Sequence, residues 1–205
     1  MIGLEKILRK EKDKKPTAKE EELVKQLIQH EINADMKDSL KGFGFLSVEE
    51  IKVNDKTTAL LVTIPFPLLA QFHKLAKALL PKLEEHFNAP VLFIAKRTII
   101  SRHLKIKRTQ QIPRSRTLTS VHKAILDDLI FPYTILEQRE HVNVEGKSIH
   151  KVCFNDKAKE LFDACDKKQA IEAIYKKLTC KSLMIDFINV PSKIIKKKKD
   201  KKEEA

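Results

Sequence analysis

Residues 57–97 read TTALLVTIPFPLLAQFHKLAKALLPKLEEHFNAPVLFIAKR, an apolar run, an amphipathic run and a second apolar run. Thr57 to Ile64 is rich in Leu, Val, Thr and Ile and is stopped by Pro65 and Pro67. It reads as a strand buried on both faces, hence central in its sheet. Leu68, Leu69, Phe72, Leu75, Ala76, Leu79, Leu80, Leu83 and Phe87 then mark one wide face of a helix that Asn88 to Pro90 terminates. Pro81 falls inside that helix, where the missing N–H costs about 3 kcal/mol, so a kink near residue 77 is expected. Val91 to Ala95 is a second buried strand. Strand, helix and strand in this order predict a right-handed parallel crossover, and the fold class is α/β with a mixed β-sheet and packed helices.

Upstream, Thr17-Ala-Lys-Glu20 has the form of a capping box, and Leu23, Leu27, Ile28, Ile32, Met36 and Leu40 continue it as a helix from Thr17 to Lys41, ended by Gly42. Phe45 to Val53 pairs with the strand from Thr57 through a turn at Asn54-Asp55-Lys56. Downstream, Thr119 or Ser120 caps a helix with Val121, Ile125 and Leu129 inside, ending before Pro132. Arg139 to Val144 and Ser148 to Phe154 form a hairpin about Glu145-Gly146. A helix from Asp156 to Thr179 and a strand from Leu183 to Ile188 complete the order α-β-β-α-β-α-β-β-α-β. One domain over residues 17–190 is expected, with a lead-in over 1–16 and a Lys-rich tail over 191–205 too polar to fold alone.

Charge is segregated along this framework. The chain has 41 basic and 28 acidic residues, a net charge of +13. From His86 to Leu126 there is no Asp or Glu, yet that stretch holds Lys96, Arg97, Arg102, Lys105, Lys107, Arg108, Arg114, Arg116 and Lys123. The tail adds seven Lys between Lys193 and Lys202, against Asp200, and the remainder of the chain is near neutral. Clustered cations on a near-neutral body create a local potential suited to a polyanion, with nucleic acid the first candidate and an anionic membrane surface the second. Ser101 to Arg116 lacks apolar periodicity and reads as a long basic loop, mobile until a partner holds it. Extended, it reaches at most roughly 50 Å, enough to run along a groove between RNA helices. Between Ile94 and Ile130 there is no Phe, Tyr or Trp, so phosphate and shape recognition of folded RNA fits better than stacking on bases. A solvated charged loop is the plain alternative. For the Lys196 to Lys199 run, a solubilising tail weighs as much as any specific contact.

Catalytic arrangements are poor. His122 stands five and six residues from Asp127 and Asp128, which puts the carboxylates off the imidazole face and reads as solvent-facing helix surface. His150 and Cys153, three apart on a strand, point to opposite faces and do not make a metal pair. With four Gly and no Gly-x-x-x-x-Gly-Lys run there is no phosphate-cradling nucleotide loop, and no cofactor is expected. Cys153, Cys165 and Cys180 are odd in number and widely spaced, so buried free thiols are expected. No apolar run reaches the roughly 18 residues of a membrane span, and Met1 to Lys15 lacks the apolar block of a secretory signal, so an intracellular protein without a membrane role is expected.

The run Pro113-Arg-Ser-Arg-Thr-Leu-Thr-Ser-Val-His-Lys-Ala-Ile-Leu-Asp-Asp-Leu-Ile-Phe-Pro132 resembles the signature of the eukaryote-specific small-subunit ribosomal protein seven family, distinct from the bacterial protein of that number. Phe93-Ile-Ala-Lys-Arg97 and Ile174-Tyr-Lys-Lys-Leu-Thr179 match it too, and the likeness covers about residues 20 to 190. The resemblance implies an α/β structural constituent of the 40S subunit, without catalysis, bound to small-subunit rRNA and neighbouring ribosomal proteins. It also implies help from assembly factors, an assembly phase in the nucleolus and residence in cytoplasmic ribosomes. Carried over to this sequence, the rRNA contacts are Lys96 and Arg97 at the strand end and Arg114 and Arg116 in the signature; Arg102 to Arg108 and Lys123 are added from charge and location. Three features depart from the family pattern: Pro81 within a helix, Cys180 where the pattern has Gly, and the Lys-rich tail. Beside this reading stands a peripheral module held on an anionic membrane, or on another polyanion, by loop and tail.

Overall fold

The crossover written into residues 57–97 is present in the computed structural model, which describes residues 6–8, 16–32, 40, 42–54, 57–101, 113–146, 148–156, 159, 162 and 166–188. Strand β2 (Thr58–Pro65) lies between β1 (Ser47–Lys52) and β3 (Val91–Lys96). It is antiparallel to β1, with Leu60 opposite Glu50, and parallel to β3, with Leu60 opposite Val91. Its central place explains its composition, since Ala59, Leu60, Leu61, Val62 and Ile64 are all buried. A 3₁₀ turn at Phe66–Leu68 leads into α2 (Leu69–Phe87), which runs as one α-helix through Pro81 and ends at Asn88 in the left-handed conformation, φ 46°. Phe72 of α2 meets Phe93 of β3 at 4.4 Å between ring centroids and Phe43 at 6.3 Å, placing an aromatic cluster at the middle of the core.

The first helix, α1 (Ala18–Ile32), buries Leu23, Val24 and Leu27 in the same core. Its expected continuation falls partly on residues 33–39 and 41, outside the described residues. Glu20 closes the capping box from one side by accepting the Thr17 backbone N–H at 2.9 Å. Its other oxygen accepts the Val48 N–H at 3.2 Å, so a single carboxylate, only 1% exposed, fixes the helix start to the edge strand. A buried carboxylate is tolerated there because both oxygens receive backbone donors. Helix α3 (Leu118–Ile130) packs on β3 and buries Val121, Leu126 and Leu129. Its cap is Thr117, two to three residues before the expected Thr119 or Ser120, and the Thr117 hydroxyl accepts from that of Ser120 at 2.9 Å.

A second sheet, β4 (Glu137–Val142), β5 (Ser148–Asn155) and β6 (Ser182–Ile188), repeats the plan: β5 is central, antiparallel to β4 and parallel to β6. The six strands among the described residues thus form two three-stranded mixed sheets rather than one, and the chain divides into two compact units, residues 1–132 and 133–205. The second unit has its own core of Val152, Phe154, Phe162, Ile171, Ile174, Tyr175 and Ile185. The hairpin turn sits at Glu145-Gly146 as expected, with Gly146 at φ 78° and its N–H bonded to Asn143 O at 2.8 Å. The long helix expected from Asp156 does not run unbroken. Asp166 is left-handed, φ 49°, and the described helix is α4 (Lys167–Thr179). Asp tolerates that conformation better than most residues, and an apolar pattern carries no sign of such a break.

The thiols divide. Cys153 is buried, and burial pushes its pKa up, so it stays a protonated apolar filler. Cys180 is exposed, against expectation, because it caps α4 in the left-handed conformation at φ 56°, its N–H reaching Lys176 O at 2.9 Å. Cys165 lies outside the described residues. A side chain at that φ is strained by roughly 1–2 kcal/mol. Cys180→Gly is therefore expected to stabilise the second unit by about 0.5–1 kcal/mol, after the extra chain entropy of Gly in the unfolded state is deducted. Urea unfolding checks this: an unchanged or lower midpoint would show that Cys180 bears no such strain.

Candidate nucleic-acid interface

Parallel pairing brings the carboxyl ends of β2 and β3 side by side, with Pro65 opposite Lys96. Five buried residues from Val91 to Ala95 precede Lys96, which emerges into solvent where the strand leaves the core. The chain continues through Arg97 to Ile100 and Ser101, and returns at Pro113 as a 3₁₀ turn, Arg114–Arg116, that leads into α3. Ile100 N–H bonds Arg116 O at 3.1 Å, and the Arg116 guanidinium donates to Thr98 Oγ1 at 2.9 Å. The two ends of the basic loop are thus tied at one stem. Thr117 secures the returning end, its N–H and hydroxyl both donating to Arg114 O at 3.2 and 2.8 Å.

An open cleft of about 550 Å³ lies at this stem, lined among others by Phe66, Lys96, Arg97, Ser115, Arg116 and Ser120. Lys96 and Arg116 are exposed, as are Arg114 on the same 3₁₀ turn and Lys123 further along α3. Five of the nine sequence-selected cations, Lys96, Arg97, Arg114, Arg116 and Lys123, therefore lie at the end of β3 or on the turn and helix beside it. Arg102, Lys105, Lys107 and Arg108, with the Lys196–Lys199 run, fall outside the described residues.

Arg97 differs from the other four. Its side chain is 14% exposed and makes a two-pronged ion pair with Asp128 of α3, Nη2 to Oδ1 at 3.0 Å and Nη1 to Oδ2. The same Oδ2 accepts the backbone N–H of Ala95 at 3.0 Å. Asp128 is buried and bolts α3 to β3; it is not the solvent-facing residue that its helix spacing suggested. Nothing nearby in sequence marks it, because its partner is 31 residues away. Phe66 was also missed. Its ring centroid lies 5.7 Å from the Arg97 guanidinium carbon and the residue is 60% exposed, so the cleft does carry an aromatic face, supplied from the end of the other parallel strand.

A buried carboxylate answered by Arg97, solvent-facing cations and one aromatic ring do not assemble a nucleophile with a base. Among the described residues no group of three or more His, Cys, Asp or Glu is placed to hold a metal ion. What the arrangement can do is hold an anion against an apolar face.

Comparison with known proteins gives the family of the chain. Residues 7–187 match the family described as Ribosomal protein S7e, and the chain belongs to that family. It is 36% identical over 174 residues to small ribosomal subunit protein eS7 of Candida albicans, covering 84% of this chain and 92% of that one. It is 35% identical over 175 residues to eS7A of Saccharomyces cerevisiae, covering 84% and 91%. It is 34% identical over 187 residues to eS7 of Avicennia marina, covering 90% and 96%. Membership in a family of ribosomal proteins makes it a structural protein, not an enzyme.

Proposed function

We propose that the chain is a structural constituent of the small subunit of the eukaryotic ribosome, binding rRNA through phosphate contacts and supporting subunit assembly and rRNA maturation. The observation that carries this is the closed stem at the end of β3. Cations from both ends of the basic loop stand together there, with Lys96, Arg114, Arg116 and Lys123 exposed beside one cleft or helix start. Arg102, Lys105, Lys107 and Arg108 add further phosphate contacts to the proposal. Arg97 keeps only what its bond to Asp128 leaves of its donor fork, and its main part is to hold the strand end. Residues 17–190 act as the ribosomal-protein module and 191–205 as a further cationic tail. Partners are small-subunit rRNA, adjacent ribosomal proteins and, during a nucleolar phase before cytoplasmic residence, assembly factors.

The test sets a structured-RNA binding assay beside flotation with anionic vesicles. Binding to a folded small-subunit rRNA fragment, falling steeply with salt, is expected, with little recovery on vesicles at physiological ionic strength. Vesicle binding with indifference to RNA would overturn the proposal in favour of a membrane module.

A further inference from the structure

The stem cleft has a feature that phosphate contact alone does not require. Phe66 follows β2 directly, exposes 60% of its surface and lines the same cleft as Lys96 and Arg116. A large aromatic residue is rarely left this open beside a ready core, and here the core of the same unit already holds Phe43, Phe45, Phe72 and Phe93. The ring is backed on one side by Arg97, whose guanidinium is itself held by two bonds to Asp128, so the aromatic platform is braced rather than loose. Ser115 and Ser120 line the cleft as well. Its volume of about 550 Å³ lies within the roughly 300–1,000 Å³ of small-molecule sites, and the crevice outside the carboxyl ends of parallel strands is where α/β sheets commonly take ligands.

We propose that this cleft receives one unpaired nucleotide of the bound RNA, its base stacked on Phe66 and its phosphate against Lys96 and Arg116. This deepens the rRNA-binding reading and rests on it. Charge complementarity selects the occupant, because exposed cations beside an aromatic face satisfy both halves of a nucleotide. A protein side chain or an acyl chain would use only one of them. An unpaired base is required, since the bases of a continuous duplex are stacked on one another.

The probes are an RNA hairpin whose loop carries one unpaired 2-aminopurine, and a blunt duplex of the same stem, each titrated into the full chain. The parent is expected to quench the 2-aminopurine and to bind the hairpin more tightly than the duplex. Phe66→Leu, which keeps apolar bulk without the ring face, is expected to weaken hairpin binding about fivefold or more and to remove the quench, with duplex affinity unchanged within about twofold. Phe66→Trp is expected to keep both preference and quench. Thermal unfolding of each variant at the parent temperature shows that the fold is retained. Equal loss on both RNAs, no loss on either, or a parent that binds both without quench would overturn the stacking site and leave the rRNA reading standing. A parent that binds neither RNA would instead overturn the rRNA reading.

Discussion

Asp128→Ala is expected to destabilise the first unit by about 3–5 kcal/mol, the largest effect of any single substitution near the basic surface. The substitution leaves two groups unanswered at once. The Arg97 guanidinium, 14% exposed, loses both prongs of its ion pair, and the Ala95 N–H within β3 loses its acceptor. An unpaired charge and an orphaned amide each carry a desolvation penalty that no water can fully relieve in a packed interface. Asp128→Asn is expected to lie between parent and Ala, since an amide oxygen still accepts one bond but the opposite charge is gone. The double change Arg97→Met with Asp128→Leu should recover most of the loss, because removing both charges of a buried pair is far milder than removing one. Urea unfolding followed by circular dichroism measures this. A loss below about 1 kcal/mol for Asp128→Ala would mean that Arg97 swings out to solvent and that the bolt between α3 and β3 carries little.

Such a bolt has a functional reading in the same terms. Arg97 belongs to the acid-free run, yet its charge is largely consumed by holding β3 to α3, so it positions its neighbours more than it adds to the cationic field. Rigid placement of Lys96 and Arg116 reduces the ordering that RNA must impose on them.

How much of this was legible in the chain follows from the range of each signal. The strands β2 and β3 and the helix between them were readable because burial on both faces of a parallel pair leaves a continuous apolar run, and the helix leaves a periodic one. The hairpin at Glu145-Gly146 was readable because a positive φ selects Gly locally. The break at Asp166 was not, since a single left-handed residue does not disturb the apolar pattern around it. Nor was the division into two sheets, because an apolar strand does not record which edge it will pair. At the site, the cations were legible as a run without acids. Asp128 and Phe66 were not, because each meets its partner Arg97 across 31 residues of chain.

The second large effect concerns RNA. Replacing Lys96, Arg114, Arg116 and Lys123 together with Gln is expected to lower affinity for a folded rRNA fragment by about two to three orders of magnitude near physiological salt. The estimate takes each cation as neutralising one phosphate and releasing about 0.7–0.9 counterions. All four side chains are exposed, so the change should leave unfolding within about 1 kcal/mol of the parent, and lost binding cannot be assigned to lost structure. The slope of log affinity against log salt, compared between the parent and the fourfold Gln variant, tests most directly whether these side chains neutralise RNA phosphates. The account predicts a slope shallower by roughly 3 in the variant. Two parallel lines would contradict it.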